Sequence, residues 1–431
     1  MGTQTTRQKL YKPAVTGEAV NVQTNLNDNY DKLDLYGPTF LCTNATRPGA
    51  AVYFTGMLIY ETDTGNVYLW TGAAWQKVIL DIAAQSFTGS LTVATNLTVT
   101  GDIIPSSQMG NRNRFDNGDF SVWQRGIASI SAAGGIKAFG PDRYFVLSGT
   151  GATNTMIGTL FGVTGKTGYT ADTSPYFCTW NRTVVGTTAS VFAQRLEYVQ
   201  TFALKTITFS FWAQAASGTV DLTPYVTQSF GTGGAPSGAV TTNGPALLGA
   251  TTTPTRFTST IAVPTVVGKT LGTTANTDYL EVGLSRAIGG NGVTGAVDIW
   301  EWQVELGSNA TPFEKLPLEV TLAKCQRHYY RITAVSATHY MCSWAYTTTT
   351  TGYGIMAYPV TMRATPVGAV SGATDASILV SGGALAGTAF GIDPYPQNVR
   401  VNVTTAVNTA GLGGYCYLNA VAKWLEMSAE Q

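Results

Sequence analysis

Apolar and polar residues alternate along most of this chain in short runs, broken every few positions by Gly, Pro, Asn or Thr. A period of two sends successive side chains to opposite faces of an extended segment, so the pattern predicts half-buried strands joined by turns. Thr206-Ile207-Thr208-Phe209-Ser210-Phe211-Trp212-Ala213 alternates cleanly, and so does Tyr279-Leu280-Glu281-Val282-Gly283-Leu284. In the run from Val297 to Leu306, Trp300, Trp302, Val304 and Leu306 fall on one face; Ile299, Glu301, Gln303 and Glu305 fall on the other. Such strands recur across 109–317 and predict a jelly-roll β-sandwich. The Gly-, Ala-, Pro- and Thr-rich stretch from Gly231 to Gly249 reads as a long loop or an excursion at a strand edge.

The flanking segments carry other patterns. In 1–40, Val22, Leu26, Tyr30 and Leu33 recur at helical spacing, which predicts a short helix stopped by Gly37-Pro38. In 41–80, the spacing predicts a meander. Met57 to Thr62 forms one strand, Asp63-Thr64-Gly65-Asn66 a turn, and Val67 to Trp70 and Trp75 to Val78 the return strands. In 81–108, Leu91-Thr92-Val93-Ala94-Thr95-Asn96 and Leu97-Thr98-Val99-Thr100-Gly101-Asp102 repeat with a period of six. Their apolar stripe needs a partner. Three copies wound on a common axis would bury it as a β stalk, and an ordinary strand in a globular sheet is the other reading. In 318–431, a helical stretch from Pro317 to Gln326 leads into strands such as Tyr353 to Val360 and Val399 to Val403. The segment from Gly414 to Leu425 reads as a strand pair, and the whole as a second, smaller β-sandwich. The fold class expected is therefore mainly β, in an elongated homotrimer.

Composition narrows the function. Only 12% of residues are charged, about half the usual ~25%. The 25 basic and 25 acidic residues cancel, with no basic stripe, which argues against nucleic acid as a partner. No apolar run approaches ~18 residues, and the N-terminus has no apolar core of a signal peptide, so neither membrane insertion nor secretion is expected. The five cysteines, Cys42, Cys178, Cys325, Cys342 and Cys416, are odd in number and widely spaced, which suits reduced thiols in a protein made and assembled in a cytosol rather than a disulfide framework.

Four patterns bear on chemistry. Cys325, His328, His339 and Cys342 have zinc-like residue types. However, residues three apart point to opposite faces of a strand, so no metal or other cofactor is expected. A glycosidase needs two carboxylates about one sugar bond. Glu301 and Glu305 share a face with Gln303, but a buried carboxylate needs a partner, and Arg143 or Arg125 would supply one. No Ser-His-Asp pattern stands out, and no catalytic residue is assigned. Sugar binding needs an aromatic face flanked by amides and charges. Trp180, with Tyr176, Asn181 and Arg182, is the first candidate, and Tyr395 in Asp393-Pro394-Tyr395-Pro396 the second. Trp123, Trp212, Trp300 and Trp302 read as core.

Several stretches resemble one group of proteins. Asn113-Arg114-Phe115-Asp116-Asn117-Gly118-Asp119-Phe120 through Gly126, Pro141-Asp142-Arg143-Tyr144, and Gln303 through Glu314 are similar to the opening, second signature and closing strand of jelly rolls in bacteriophage tail-fibre proteins. Cys325-Gln326-Arg327-His328-Tyr329-Tyr330 resembles the join into their C-terminal β-sandwich, with His328 standing where an aromatic is usual. Leu26-Asn27-Asp28-Asn29 with Leu33-Asp34, and Gly56 through Gly65, are similar to their N-terminal segment and small β module. The resemblance implies a virion fibre, commonly a homotrimer, attached through 1–40 to a tail or capsid protein. It also implies a carbohydrate-binding-module-like jelly roll that holds host cell-surface glycan. A capsid-attached fibre or ligand-free spacer, and a tailspike polysaccharide depolymerase, are the alternatives.

Overall fold

The computed structural model describes residues 3–4, 11–12, 40–48, 55–78, 111–161, 174–245, 248–291 and 293–431. The expected helix near 20–34 and the repeat at 91–103 lie outside the described residues. The chain divides into two compact units, residues 1–103 and 104–431.

In the first unit, β1 (Thr3–Gln4) pairs antiparallel with β2 (Tyr11–Lys12). β3 (Phe40–Cys42) runs parallel to β4 (Leu58–Glu61), which continues into β5 (Asn66–Trp70) and β6 (Trp75–Val78) as the expected meander. Gly65 takes φ +68° in the first turn, a conformation that costs an L side chain energy. Buried Cys42, Met57 and Ile59 pack against Tyr68, Trp70 and Trp75.

The second unit opens with a β-sandwich. Its strands are β7 (Ile130–Ala133), β8 (Lys137–Phe139), β9 (Tyr144–Leu147), β10 (Thr153–Leu160), β11 (Tyr176–Val184), β12 (Ser190–Glu197) and β13 (Thr206–Ala215). They continue with β14 (Val220–Ser229), β15 (Val240–Asn243), β16 (Leu248–Ala250), β17 (Thr255–Ala262), β18 (Tyr279–Arg286) and β19 (Gly295–Leu306). One sheet has the order β17-β13-β19-β11-β10-β7. The other has β15-β14-β18-β12-β9-β8, with β16 also on β14. The stretch from Gly231 to Gly249, read as a long loop or a strand-edge excursion, carries the edge strand β15 and the start of β16.

The inner faces meet in an aromatic core. Trp302 lies at its centre, with ring centroids 4.9 Å from Phe209, 5.0 Å from Phe192, 5.4 Å from Tyr144 and 5.6 Å from Phe115. Strict alternation would put Trp300 on the same face, and the structure corrects this. Ser210 pairs with Gln303 but Trp212 pairs with Trp300, so β19 carries one extra residue, and Glu301 sits in the bulge at φ +52°. Val297 and Ile299 before the bulge, and Trp302 and Val304 after it, all face the core. Trp300 is turned to the outer face, where it stacks on Trp212 with centroids 5.9 Å apart. Trp123 packs against the core from its margin, and Trp302 alone of the four tryptophans read as core is central to it.

The start and end of the sandwich are clasped together. The Asn113 backbone N–H donates to Glu314 Oε2 at 2.8 Å, and its side-chain amide to the Trp302 carbonyl at 2.8 Å. Arg114 N–H donates to the Val304 carbonyl at 3.0 Å, and Glu314 N–H to Gln303 Oε1 at 2.7 Å. Glu305 accepts from the Thr311 backbone and hydroxyl at 2.8 and 2.7 Å and from Gln303 at 3.0 Å, so its partners are local ones and not the expected Arg143 or Arg125.

Helix α1 (Leu318–Gln326) follows, as its spacing predicted. Next come β20 (Tyr329–Thr333), β21 (His339–Tyr346), β22 (Thr351–Ala357), β23 (Val367–Val370), β24 (Ala376–Val380), β25 (Gly383–Pro394), β26 (Asn398–Thr405), β27 (Gly413–Leu418) and β28 (Trp424–Ser428). The region expected as a second sandwich closes as a six-stranded barrel, β21-β22-β26-β25-β24-β27, beside a three-stranded sheet, β20-β28-β23. β27 and β28, read as a strand pair, are split between the two. Glycine makes the closure possible: a Cβ on Gly352 would lie 2.6 Å from the Trp344 ring, and one on Gly414 2.4 Å from the Leu379 carbonyl.

The sandwich meets the three-stranded sheet and the residues that follow β28 across buried charge. Arg143, 2% exposed, donates to Asp116 at 3.2 Å, Glu430 at 2.5 Å and the Arg195 carbonyl at 2.6 Å. Its sequence neighbour Asp142 is served separately by Gln124, whose backbone N–H lies at 3.0 Å. Gln124 also donates to the Tyr329 carbonyl at 2.7 Å, and the Arg125 guanidinium sits 3.3 Å from the Tyr329 ring centroid.

This junction predicts a pH dependence. Burial lifts the Asp142 carboxyl from 3.8 to about 7, against the pull of Arg125 and Gln124. The folded state thus holds a proton that the unfolded chain releases near pH 4. The stabilisation from that proton is complete below the unfolded value and is lost as pH rises through about 7. Glu197 acts in the opposite sense. Burial would raise it, but the His328 hydrogen bond and the Arg327 and Arg363 charges bring it from 4.5 to about 2, so its contribution disappears only as pH falls toward that value. Asp142→Asn is expected to flatten the stability profile between pH 4 and 7, read by urea unfolding at each pH. A slope unchanged from the parent would show that Asp142 ionises normally.

Candidate functional site

The outer face of the second sheet is built by residues that alternate away from the core. On β18 they are Tyr279 and Glu281, on β12 Arg195 and Glu197, and on β14 Tyr225 and Ser229. One half of this face is apolar: Phe145, Ala193 and Tyr225 pack with Phe139, Leu147 and Val191. The other half is a linked polar set. Arg195 donates to Glu281 at 2.8 Å, the Tyr225 hydroxyl donates to the same carboxylate at 2.7 Å, and the Arg195 guanidinium lies 4.0 Å from the Tyr279 ring centroid. Burial and the Arg195 charge push the nearby Lys137 ammonium down to about 8.

A cleft of about 450 Å³ opens beside Tyr279. Ser229, Thr232, Asn276 and Thr277 line one side; Arg363, Thr365 and Gln431 line the other. The far wall is tied to the near one. Arg363 donates to the Asn276 carbonyl at 2.7 Å, and Gln431 donates to the Asn276 and Asp278 carbonyls at 3.2 and 3.1 Å. The result is a preformed recess with hydroxyl, amide and guanidinium groups around one phenol ring.

Two other surfaces carry aromatics. On the barrel, Tyr395 is 49% exposed and Tyr353 43%. Arg400 lies 5.6 Å from the Tyr353 ring centroid and donates to Asp393 at 2.8 Å, and Asn402 donates to the same oxygen at 2.6 Å. The exposed loop expected for Tyr395 is therefore where the structure places it, with Asp393 directed at Arg400. On the outer face of the first sheet, Trp212 and Trp300 adjoin Phe161 and Phe177. There burial pushes the Glu301 carboxyl upward, against the pull of Arg256 and the Trp212 indole.

The first sugar-binding candidate is corrected. Trp180 is wholly buried, its indole N–H donates to Asn154 at 2.9 Å, and its ring stacks on Phe192, so no face is left for a ligand. Arg182 is 1% exposed and donates to the carbonyls of Arg286 and Ala287 at 2.8 and 2.7 Å. Tyr176 packs against the core margin near Trp123, and only Asn181 of this group alternates outward with partial exposure. Cys178, Trp180 and Arg182 share the inward face of β11, which the surrounding polar residues obscured. Tyr279 was missed as a candidate, although its place on the polar side of β18 with Glu281 is the signal that marks it.

The four Cys and His residues at 325–342 are also separated. Cys342 lies opposite Cys416 on β27 and hydrogen-bonds to it. His328 contacts Glu197 at 3.3 Å, and Cys325 is buried at the end of α1. Among the described residues no three metal-ligating side chains come together.

No known protein family matches the sequence, and no curated protein does. Among solved structures, the chain is similar to the enzymatically active domain of tailspike protein 4 of bacteriophage CBA120, at 13% identity and TM-score 0.26. That match covers 45% of this chain and only 21% of the tailspike. The chain is also similar to the CBM22-1 xylan-binding domain of Paenibacillus barcinonensis Xyn10C, at 10% identity and TM-score 0.26, over 42% of this chain and 95% of that domain. The CBM22-1–CBM22-2 tandem of the same protein matches at 9% identity and TM-score 0.26, over 70% of this chain and 99% of the tandem. The chain itself is mainly β, with multiple β-sandwich sheets.

Proposed function

We propose that this protein is a structural and adhesive virion fibre of a bacteriophage tail, whose sandwich holds a host cell-surface glycan in the cleft beside Tyr279. The cleft carries the reading. Its volume of about 450 Å³ suits a small ligand, and its lining matches the chemistry of a sugar. A pyranose offers C–H faces to an aromatic ring and hydroxyls at its rim to amides, hydroxyls and guanidinium groups. Binding rather than cleavage is proposed, because glycoside hydrolysis needs two carboxylates. Among the described residues lining the cleft, the carboxylate is Glu430, which is committed to Arg143. Attachment to a tail or capsid protein through 1–40, and a homotrimeric state, belong to the same proposal. Three identical sites would raise weak sugar affinity through effective concentration.

The test is binding of the full chain to an array of host surface glycans. The parent protein is expected to bind a defined glycan, and Tyr279→Ala to weaken that binding at least tenfold with melting temperature retained. Binding indifferent to Tyr279→Ala would move the site elsewhere. Shortening of the polysaccharide would favour a tailspike depolymerase, and no binding to any glycan would favour a spacer.

A further inference from the structure

Two of the five cysteines are opposed partners in the barrel, Cys342 on β21 and Cys416 on β27. An irregularity in the ladder brings them together. Tyr340 pairs with Tyr417, the register slips before the next pair, and Cys342 pairs with Cys416. Without that extra residue Cys416 would stand opposite Met341. Opposed residues in an antiparallel ladder have Cα atoms about 4.5–5.5 Å apart, inside the range of about 4.4–6.8 Å that a disulfide spans. The side chains meet as well, because the Cys416 thiol hydrogen-bonds to the Cys342 sulfur. Gly354 of β22 leaves that sulfur room, since a Cβ there would lie 2.6 Å from Cys342 Sγ.

The two thiols differ as a two-step exchange requires. Cys42, Cys178, Cys325 and Cys416 are buried, whereas Cys342 keeps partial exposure. The hydrogen bond from Cys416 draws the Cys342 thiol below its ordinary value; the same bond, with burial, pushes the Cys416 thiol up. A thiolate is the attacking species, so Cys342 meets a reagent first and Cys416 resolves the product.

We infer that Cys342 and Cys416 form a modification site that reacts with small-molecule disulfides such as oxidised glutathione and closes into a cross-strand disulfide between β21 and β27. Cys342, as thiolate, attacks one glutathione sulfur; the glutathione S–S bond breaks, and the first glutathione leaves and takes up a proton. Cys416 Sγ then attacks the Cys342 sulfur of the mixed disulfide, and its proton goes to the second departing glutathione. Two protein thiols are oxidised and one glutathione disulfide is reduced to two thiols. The bond joins strands distant in the chain and constrains the unfolded state, so it staples the barrel. It forms when a chain folded in a reducing cytosol meets an oxidising medium, and it does not depend on what the sandwich binds.

The test incubates the folded full chain with oxidised glutathione, unfolds it in the presence of an alkylating agent, and maps tryptic peptides without reduction. The peptide carrying Cys342 is expected to be linked to the one carrying Cys416, with Cys42, Cys178 and Cys325 alkylated. The melting temperature is expected to rise by about 5–10 °C and to return on reduction with dithiothreitol. Cys342→Ala is expected to show neither the link nor the rise, and a rise that persists in it would overturn the staple. The peptide map of the parent chain decides the pairing even if that variant folds poorly. A glutathione adduct that stays on Cys342 would overturn the inference by showing that Cys416 cannot reach it. A link to any other cysteine would overturn the pairing, and five alkylated thiols would overturn the site.

Discussion

Replacing Arg143 by methionine is expected to destabilise residues 104–431 by about 3–5 kcal/mol, seen as a lower urea midpoint. The arginine is wholly enclosed, and its guanidinium serves three acceptors, two of them carboxylates. Among the ion pairs of the described residues, removing it leaves Glu430, itself 2% exposed on its side chain, with Arg125 at 3.9 Å. An unpaired buried carboxylate loses its solvation without recompense, and that loss exceeds the worth of the ion pair itself. A second substitution, Glu430→Leu, made in the Arg143→Met background, is expected to recover part of the loss, because an apolar pair needs no counter-charge. If the single and double variants unfold at the same midpoint, the loss comes from packing rather than from stranded charge.

Trp302→Ala is expected to cost about 3–5 kcal/mol as well, for a different reason. Six aromatic rings, those of Phe115, Phe120, Tyr144, Phe192, Phe209 and Phe211, have centroids within 6.4 Å of its own. Four of them are fixed to strands of both sheets and two, Phe115 and Phe120, to the segment before β7, and they cannot all close over the void. Trp300→Ala, two positions away, is expected to cost less, because its neighbours lie on an outer face that can relax. Guanidinium unfolding with near-ultraviolet circular dichroism separates the two. Equal losses would mean that the outer cluster is as confined as the core.

How far these features were legible depends on how local their cause is. The strands of the sandwich, the 41–80 meander and α1 follow from alternation, turn residues and helical spacing, all of which are local. The bulge at Glu301 is not. One extra residue changes the face of everything before it, and nothing in Val297 to Leu306 marks where it falls, so Trp300 was assigned to the wrong side. Barrel closure was equally hidden, because β21 alternates in the same way whether it pairs with one neighbour or with both β22 and β27. Trp180 shows the limit for site residues. A polar sequence neighbourhood says little when Arg182 turns inward to bond carbonyls of β18 and its following loop. The cleft beside Tyr279 draws on Ser229, Asn276 and Arg363, far apart in the chain and brought together only by the fold.

The clasp that joins the start and end of the sandwich has a mechanical consequence. Tension applied along the chain between residues 111 and 318 enters and leaves the sandwich at adjoining points. Asn113 and Arg114 on one side, and Val304 and Glu314 on the other, would bear it through hydrogen bonds of 2.8 and 3.0 Å. The load is shunted across this short bridge rather than through the strands beyond it. The sheet face that carries Tyr279 and Arg195 is then outside the line of force, and a ligand held there would experience little strain while the chain is pulled.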